Sequence, residues 1–305
     1  MSSPHDPARG GMGAPGTFGA KPWQQQSWDA RAAGNFMGGG AGTGLLVFTV
    51  LSGVQGPLRI ALLMVGLGLI GLGLLCVWAE IGRPLRALHV FFNPYTSWMS
   101  REAAVAPLLF ASGLGALLEV PGAAMALLAL ALAFLYCQAR ILQASKGIPA
   151  WREPLTVPLL IATGLAEGGG LFWAATAWTD AGTPPVHTGA LAALWWGWAA
   201  LLAARFALGI QWHRRLSRVL GTRALAAVNQ CGHGLNGGSL LPLALLLGLL
   251  AAPMAPTWAA LVLTAAGLLA LAGGAAFKFM LITRAAYNQG FALPHLPVRG
   301  ARRRS

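Results

Sequence analysis

The chain has 305 residues, 56% of them hydrophobic and 10% charged, where a soluble domain carries about 25% charged residues. Its formal charge of +13 does not make a nucleic-acid surface, because the basic residues fall between apolar segments or at the ends, with no basic helix and no aromatic–basic platform. Apolar runs near the roughly 20 residues that a bilayer core demands recur along the chain, so the expected class is all-α, a polytopic integral membrane protein.

In chain order, residues 1–34 read as a flexible or partner-bound cytoplasmic tail, Gly-, Pro- and Gln-rich, without a signal-peptide core or a twin-arginine pattern. Residues 35–285 form the membrane domain and 286–305 a second cytoplasmic tail. Eight transmembrane helices are predicted at about 36–54, 58–79, 103–119, 122–143, 155–178, 188–211, 236–252 and 256–284. Gly38, Gly39, Gly40, Gly42 and Gly44 open the first, the small residues that let membrane helices approach closely. Pro107 interrupts the third. Pro121, Pro154 and Pro256 stand at helix starts, and Pro158 and Pro242 are expected in first turns, where a missing N–H costs little.

An even number of spans puts both termini on one side. On that side fall 19 of the 21 Lys and Arg residues, Lys278 and Arg284 among them, while Arg59 lies opposite and Arg205 within the sixth span. The bias predicts cytoplasmic termini in an inner membrane. The outer loops 55–57, 179–187 and 253–255 are short. The inner loops 80–102 and 212–235 are each over twenty residues long, and offer Arg86, Tyr95, Trp98, Arg101, Arg214 and Arg215 to a cytoplasmic partner.

Glu80, at the inner end of the second span, has Arg83 and Arg86 near it in sequence; proton exchange and plain interfacial anchoring are both open to it. Asn35 and His233, with Asn236 close by, form a second candidate group, since neutral imidazole both donates and accepts hydrogen bonds. Glu167 sits among three glycines inside the fifth span, which fits a proton route or a packed carboxylate with a paired donor. Cys76, Cys137 and Cys231 make no metal motif, no two histidines form a mid-membrane haem pair, and the glycine runs lack the Walker lysine of a phosphate loop. No metal is expected in this chain.

The stretch Glu80-Ile81-Gly82-Arg83-Pro84-Leu85-Arg86, with Ser97-Trp98-Met99-Ser100-Arg101-Glu102 after it, resembles the membrane-anchor subunits of molybdopterin oxidoreductases, the dimethyl sulfoxide reductase and polysulfide reductase anchors. Asn35 to Gly42 looks like that family's first-helix start. Lys278 to Phe291, with Pro294-His295-Leu296-Pro297, is similar to the anchor of phenylacetyl-CoA:acceptor oxidoreductase. The resemblance implies electron exchange between the quinone pool, ubiquinone or menaquinone, and an iron–sulfur subunit joined to a molybdopterin catalytic subunit. Quinone would then be held by Asn35, Glu80, Arg83 and His233, with Glu80 and His233 exchanging protons. Glu80 falls where the dimethyl sulfoxide reductase anchor has a quinol-site histidine, a departure that leaves it either to take over proton exchange or to serve only as a hydrogen-bond partner. The other reading is a secondary transporter or proton conductor without redox partners, for which Glu167 and the glycine-rich helices speak; no internal repeat supports it.

Overall fold

The computed structural model describes residues 22–80, 89–179, 189–251 and 254–290. Among them the chain forms α1 (Ala30–Ser52), α2 (Gly56–Glu80), α3 (Trp98–Leu117), α4 (Ala123–Ala144), a single turn α5 (Pro149–Arg152), α6 (Thr156–Thr176), α7 (Gly189–Leu216), α8 (Thr222–Ala251) and α9 (Pro256–Thr283). Seven of these are long and apolar enough to cross a membrane; α3 and α5 are not in that set.

Local chemistry sets several ends. Asp29 caps α1, its carboxylate accepting from Arg31 N at 2.7 Å, and Gly53 closes that helix with a left-handed φ of 65°. Ser97 caps α3 by accepting from Ser100 N at 3.3 Å. Pro256 occupies the first turn of α9.

α1 is the central helix. Its residues Gly39 to Thr49 are buried without interruption, and it lies against α2, α4, α6 and α9. Tight backbone contact explains the glycines: a Cβ on Gly168 of α6 would fall onto the backbone of Gly44 and Leu45 in α1. By contrast Ile60, Met64, Leu72 and Leu75 of α2 are exposed, the pattern of a lipid-facing surface. Both described ends of the chain meet at one end of the bundle, here called the terminal face. There Gln25 N donates to Ala286 O at 2.9 Å and Asn288 N to Trp23 O at 3.0 Å.

Three sequence expectations need correction. The expected inner loop 212–235 is mostly helix, since α7 continues to Leu216 and α8 starts at Thr222, leaving residues 217–221 to connect them. Arg223, Asn229, Gln230 and His233 are compatible with helix, and hydropathy detects only the apolar part of a helix that runs beyond it. Pro242 therefore lies well inside α8 rather than in a first turn. Lys278, counted with the basic residues of the terminal side, is 2% exposed inside the bundle.

Candidate functional site

The first candidate site opens beside the terminal face. α1, α2, α3 and α4 enclose a cavity of about 240 Å³, lined by Trp28, Asn35, Phe36, Val77, Met99 and Glu102 among others. Met99, at 43% exposure, forms its outer rim. Asn35 and Glu102 are its buried polar groups, 4% and 6% exposed. Asn35 Nδ2 donates to Glu102 Oε1 at 3.4 Å, and Gln138 Nε2 of α4 donates to the Asn35 carbonyl at 3.1 Å. Asn35 Oδ1 has no protein partner and packs against Gly73 of α2, where a Cβ would stand 3.3 Å away.

Glu102 reaches this position because α3 begins at Trp98, not after it. Glu102, Ala106, Leu109, Gly113 and Ala116 then follow the helical repeat and form one buried stripe. Hydropathy alone puts Glu102 at the end of the inner loop 80–102. The Ser97 cap and the spacing of that stripe were the signals that could have placed it.

A second polar cluster lies in the middle of the bundle. Lys278 Nζ of α9 donates to Glu167 Oε2 of α6 at 2.5 Å, with side-chain exposures of 2% and 1%. Glu167 Oε1 has no protein partner. Arg205 of α7 is also fully buried; it donates to Ser239 Oγ at 2.9 Å, to Ala270 O at 3.0 Å and to Gly238 O. Its charge acts on Glu167 through space.

A third cleft of about 420 Å³ separates α7 and α8 and is lined by His213, Arg214, Asn229, His233 and Asn236. His213 Nε2 lies 2.5 Å from Asn229 Oδ1. His233 is exposed there. Arg215 pairs with Glu153 at 3.1 Å. The structure thus joins His233 with Asn236, and Asn35 with Glu102, in two separate cavities.

The terminal face carries the remaining predicted docking residues. The Trp98 ring is covered by the guanidinium groups of Arg101 at 4.1 Å and Arg140 at 4.6 Å. Arg101 also donates to the carbonyls of Pro94 and Tyr95, both at 2.8 Å, while the Tyr95 side chain is 89% exposed. Beside the strap of residues 22–28 opens a depression of about 750 Å³, bordered by Gln24, Gln26, Asp29, Arg223, Gln230 and Arg284. The Arg31 hydrogen bonds hold the Asp29 carboxyl below its usual range. Arg31 also donates to Ala79 O at 3.0 Å, tying the start of α1 to the end of α2.

Glu80 is the last residue of α2; Arg83 and Arg86 lie outside the described residues. Among the described residues no three His, Cys, Asp or Glu side chains gather as metal ligands. The family model described as DMSO reductase anchor subunit (DmsC) matches residues 44–195, a span that holds Glu102, Gln138 and Glu167. None of the curated proteins matches the chain.

Proposed function

We propose, from the premise that this chain belongs to the membrane-anchor subunits of the dimethyl sulfoxide reductase superfamily, that it exchanges electrons between membrane quinone and an iron–sulfur partner at the Asn35–Glu102 cavity. One observation carries the reading: a buried carboxylate and carboxamide face each other in a mainly apolar cavity whose rim is exposed. Its volume of about 240 Å³ lies just under the roughly 300 Å³ where small-molecule sites begin. That size suits a substituted ring with its isoprenoid tail left in lipid.

Reduction of quinone to quinol takes two electrons and two protons. The electrons come from the partner's iron–sulfur cluster on the terminal face. Glu102 delivers a proton from its carboxyl to a quinone oxygen, while Asn35 Nδ2 is the donor beside it that stabilises charge on that oxygen. Gln138 fixes the backbone of Asn35. Glu80, which ends the helix that brings Val77 to the cavity, refills Glu102 from water, and Arg83 adds positive charge. Quinol oxidation runs through the same groups in reverse. The assignment leaves His233 outside the quinone cavity, in the α7–α8 cleft.

The terminal face is the proposed seat of the partner, with Tyr95, Trp98, Arg101, Arg214 and Arg215 at its contacts and Arg86 in the adjoining segment. Arg140, Arg152, Arg214, Arg215, Arg218, Arg223 and Arg284 concentrate positive charge near this end of the helices. That charge supports a cytoplasmic placement in the inner membrane. α3 is then the eighth span. The resemblance of residues 278–291 to the phenylacetyl-CoA:acceptor oxidoreductase anchor makes a CoA thioester the proposed substrate of the molybdopterin subunit.

Co-purification with native partners tests the reading. The expected product is a complex containing molybdenum and iron–sulfur clusters, with quinone-dependent turnover that Glu102→Gln lowers far more than turnover with an artificial acceptor. Solute transport by the chain alone, with no quinone activity in the complex, would refute it.

A further inference from the structure

The Lys278–Glu167 pair has no part in quinone binding as described above, yet it is the most deeply buried charged contact among the described residues. Glu167 stands about halfway along α6, roughly 16 Å from its first residue at 1.5 Å per residue. Stability does not account for such a pair, because apolar side chains of similar volume generally do as well or better than two desolvated charges. The imbalance is greater still, since Arg205 adds a second cation against the single carboxylate. Intramembrane charges of this kind mark ion or proton paths.

The pair is connected to the cavity through α1. Gly39 and Gly40 are consecutive, and a Cβ at Gly39 would meet the Gln138 carboxamide, while a Cβ at Gly40 would meet Lys278 Nζ. Gln138 in turn bonds Asn35, whose amide faces Glu102. A side chain at 39 or 40 would collide with these groups, so glycine lets both Gln138 and Lys278 lie against the backbone of α1. Away from the cavity, polar groups continue. Glu167 Oε1, Trp173 Nε1 of the same helix and Trp195 Nε1 of α7 are all buried without a protein partner, and the two indoles lie 5.3 Å apart. Buried groups of this kind are the ones that ordered water satisfies.

We infer that Lys278 and Glu167 pass protons between the quinone cavity and the far half of the membrane, so that electron exchange by this subunit moves charge across the bilayer. The inference rests on the quinone reading above. During quinone reduction Lys278 releases an N–H proton toward Glu102, the Glu167 carboxylate takes up a proton from the far side, and that proton passes to the neutral Lys278 amine, which restores the ion pair. Each quinone receives two electrons from the iron–sulfur partner, one proton by this route and one from the terminal face. Arg205 keeps its charge throughout, since a guanidinium does not release a proton. Quinol oxidation sends the proton the other way.

The test uses the complete complex in sealed vesicles containing quinone, with a membrane-impermeant reduced dye outside to feed the partner. Quinone reduction is read by ultraviolet absorbance and membrane potential by a voltage-sensitive dye. The expected wild-type result is a potential, positive on the side of the partner, that grows by one charge per quinone reduced. Glu167→Gln combined with Lys278→Gln keeps a neutral hydrogen-bonded pair. Lys278→Arg keeps the ion pair with a group that holds its proton. In either variant the terminal face supplies both protons, so quinone reduction in the presence of an uncoupler stays within about threefold of wild type, and the potential is lost. Turnover without potential in wild type overturns the inference and leaves the quinone reading standing. A wild-type potential in whichever variant assembles overturns the role of the pair, and absence of quinone turnover in wild type overturns both readings.

Discussion

Substitution of Gly168 by alanine tests whether the crossing of α1 and α6 is as close as the structure has it. The added Cβ would lie on Gly44 C, Gly44 Cα and Leu45 N, all backbone atoms that no rotamer change can move. Carbon atoms pack at about 3.5–4.0 Å, so the helices must separate or bend. Overpacking of this kind costs about 1–3 kcal/mol, and the gain in helix propensity from glycine to alanine returns only about 0.5–1 kcal/mol. Against fixed backbone the upper part of that range applies, and a net loss of about 1–2 kcal/mol corresponds, over 305 residues, to a fall of roughly 2–3 °C in the unfolding midpoint. Cys137 and Cys231 are buried and free, so a thiol-reactive fluorogenic dye follows unfolding in detergent once the half-buried Cys76 is replaced by serine. Gly68→Ala is the control, because a Cβ there meets nothing within 4 Å. Equal or higher midpoints for Gly168→Ala than for Gly68→Ala would refute the backbone contact.

Three further predictions use other parts of the molecule. Glu102→Gln lowers quinone-dependent turnover about 100-fold or more while artificial-acceptor turnover is unchanged; equal loss in both assays counts against Glu102 as the proton donor. Lys278→Met alone leaves the Glu167 carboxylate buried and unpaired, at a cost of about 3–5 kcal/mol, whereas Glu167→Gln with Lys278→Met together costs less than that single change; unfolding midpoints of the two variants decide it. Asp29 has its carboxyl held below the usual range by Arg31, so its stabilisation of α1 is present above the unfolded-state value of about 3.9 and disappears as pH falls through the folded one. Hydrogen exchange in the first turn of α1 accelerates over that acid interval, and Asp29→Asn removes the pH-dependent part.

Apolar length was the part of the fold most readable from the sequence. α2, α4 and α9 have boundaries within a few residues of their predicted spans, because nearly every position in them favours lipid or a packed neighbour. α8 was read too short since its first part carries Arg223, Asn229, Gln230 and His233, and hydropathy does not distinguish a polar helix end from a loop. At the site, the sequence singles out Asn35, which lies on the cavity wall, but not its polar neighbour. Glu102 lies 67 positions away in α3, and nothing in local spacing joins the two. Glu167 was expected to need either a glycine-lined packing site or a route. The donor that pairs with it is 111 positions on, at a residue that charge counting assigns to the terminal side.

The misplacement of Lys278 has a physical lesson about positive-inside reasoning. Such counting treats every Lys or Arg near a span end as water-facing, but a lysine has a long apolar stem that can carry its ammonium well away from its Cα. In α9 that stem delivers the charge to the middle of the bundle, where Glu167 receives it. Removing Lys278 from the terminal side barely alters the charge bias, because the arginines near that end remain. It alters the reading of α1 far more. Asn35 and Gly40 are five residues apart, roughly 7.5 Å along the axis, so a single helix reaches both the cavity polar pair and the buried ion pair. The glycines that first read as packing devices therefore have a second effect: by carrying no side chain, they let Gln138 and Lys278 approach the central helix from either side.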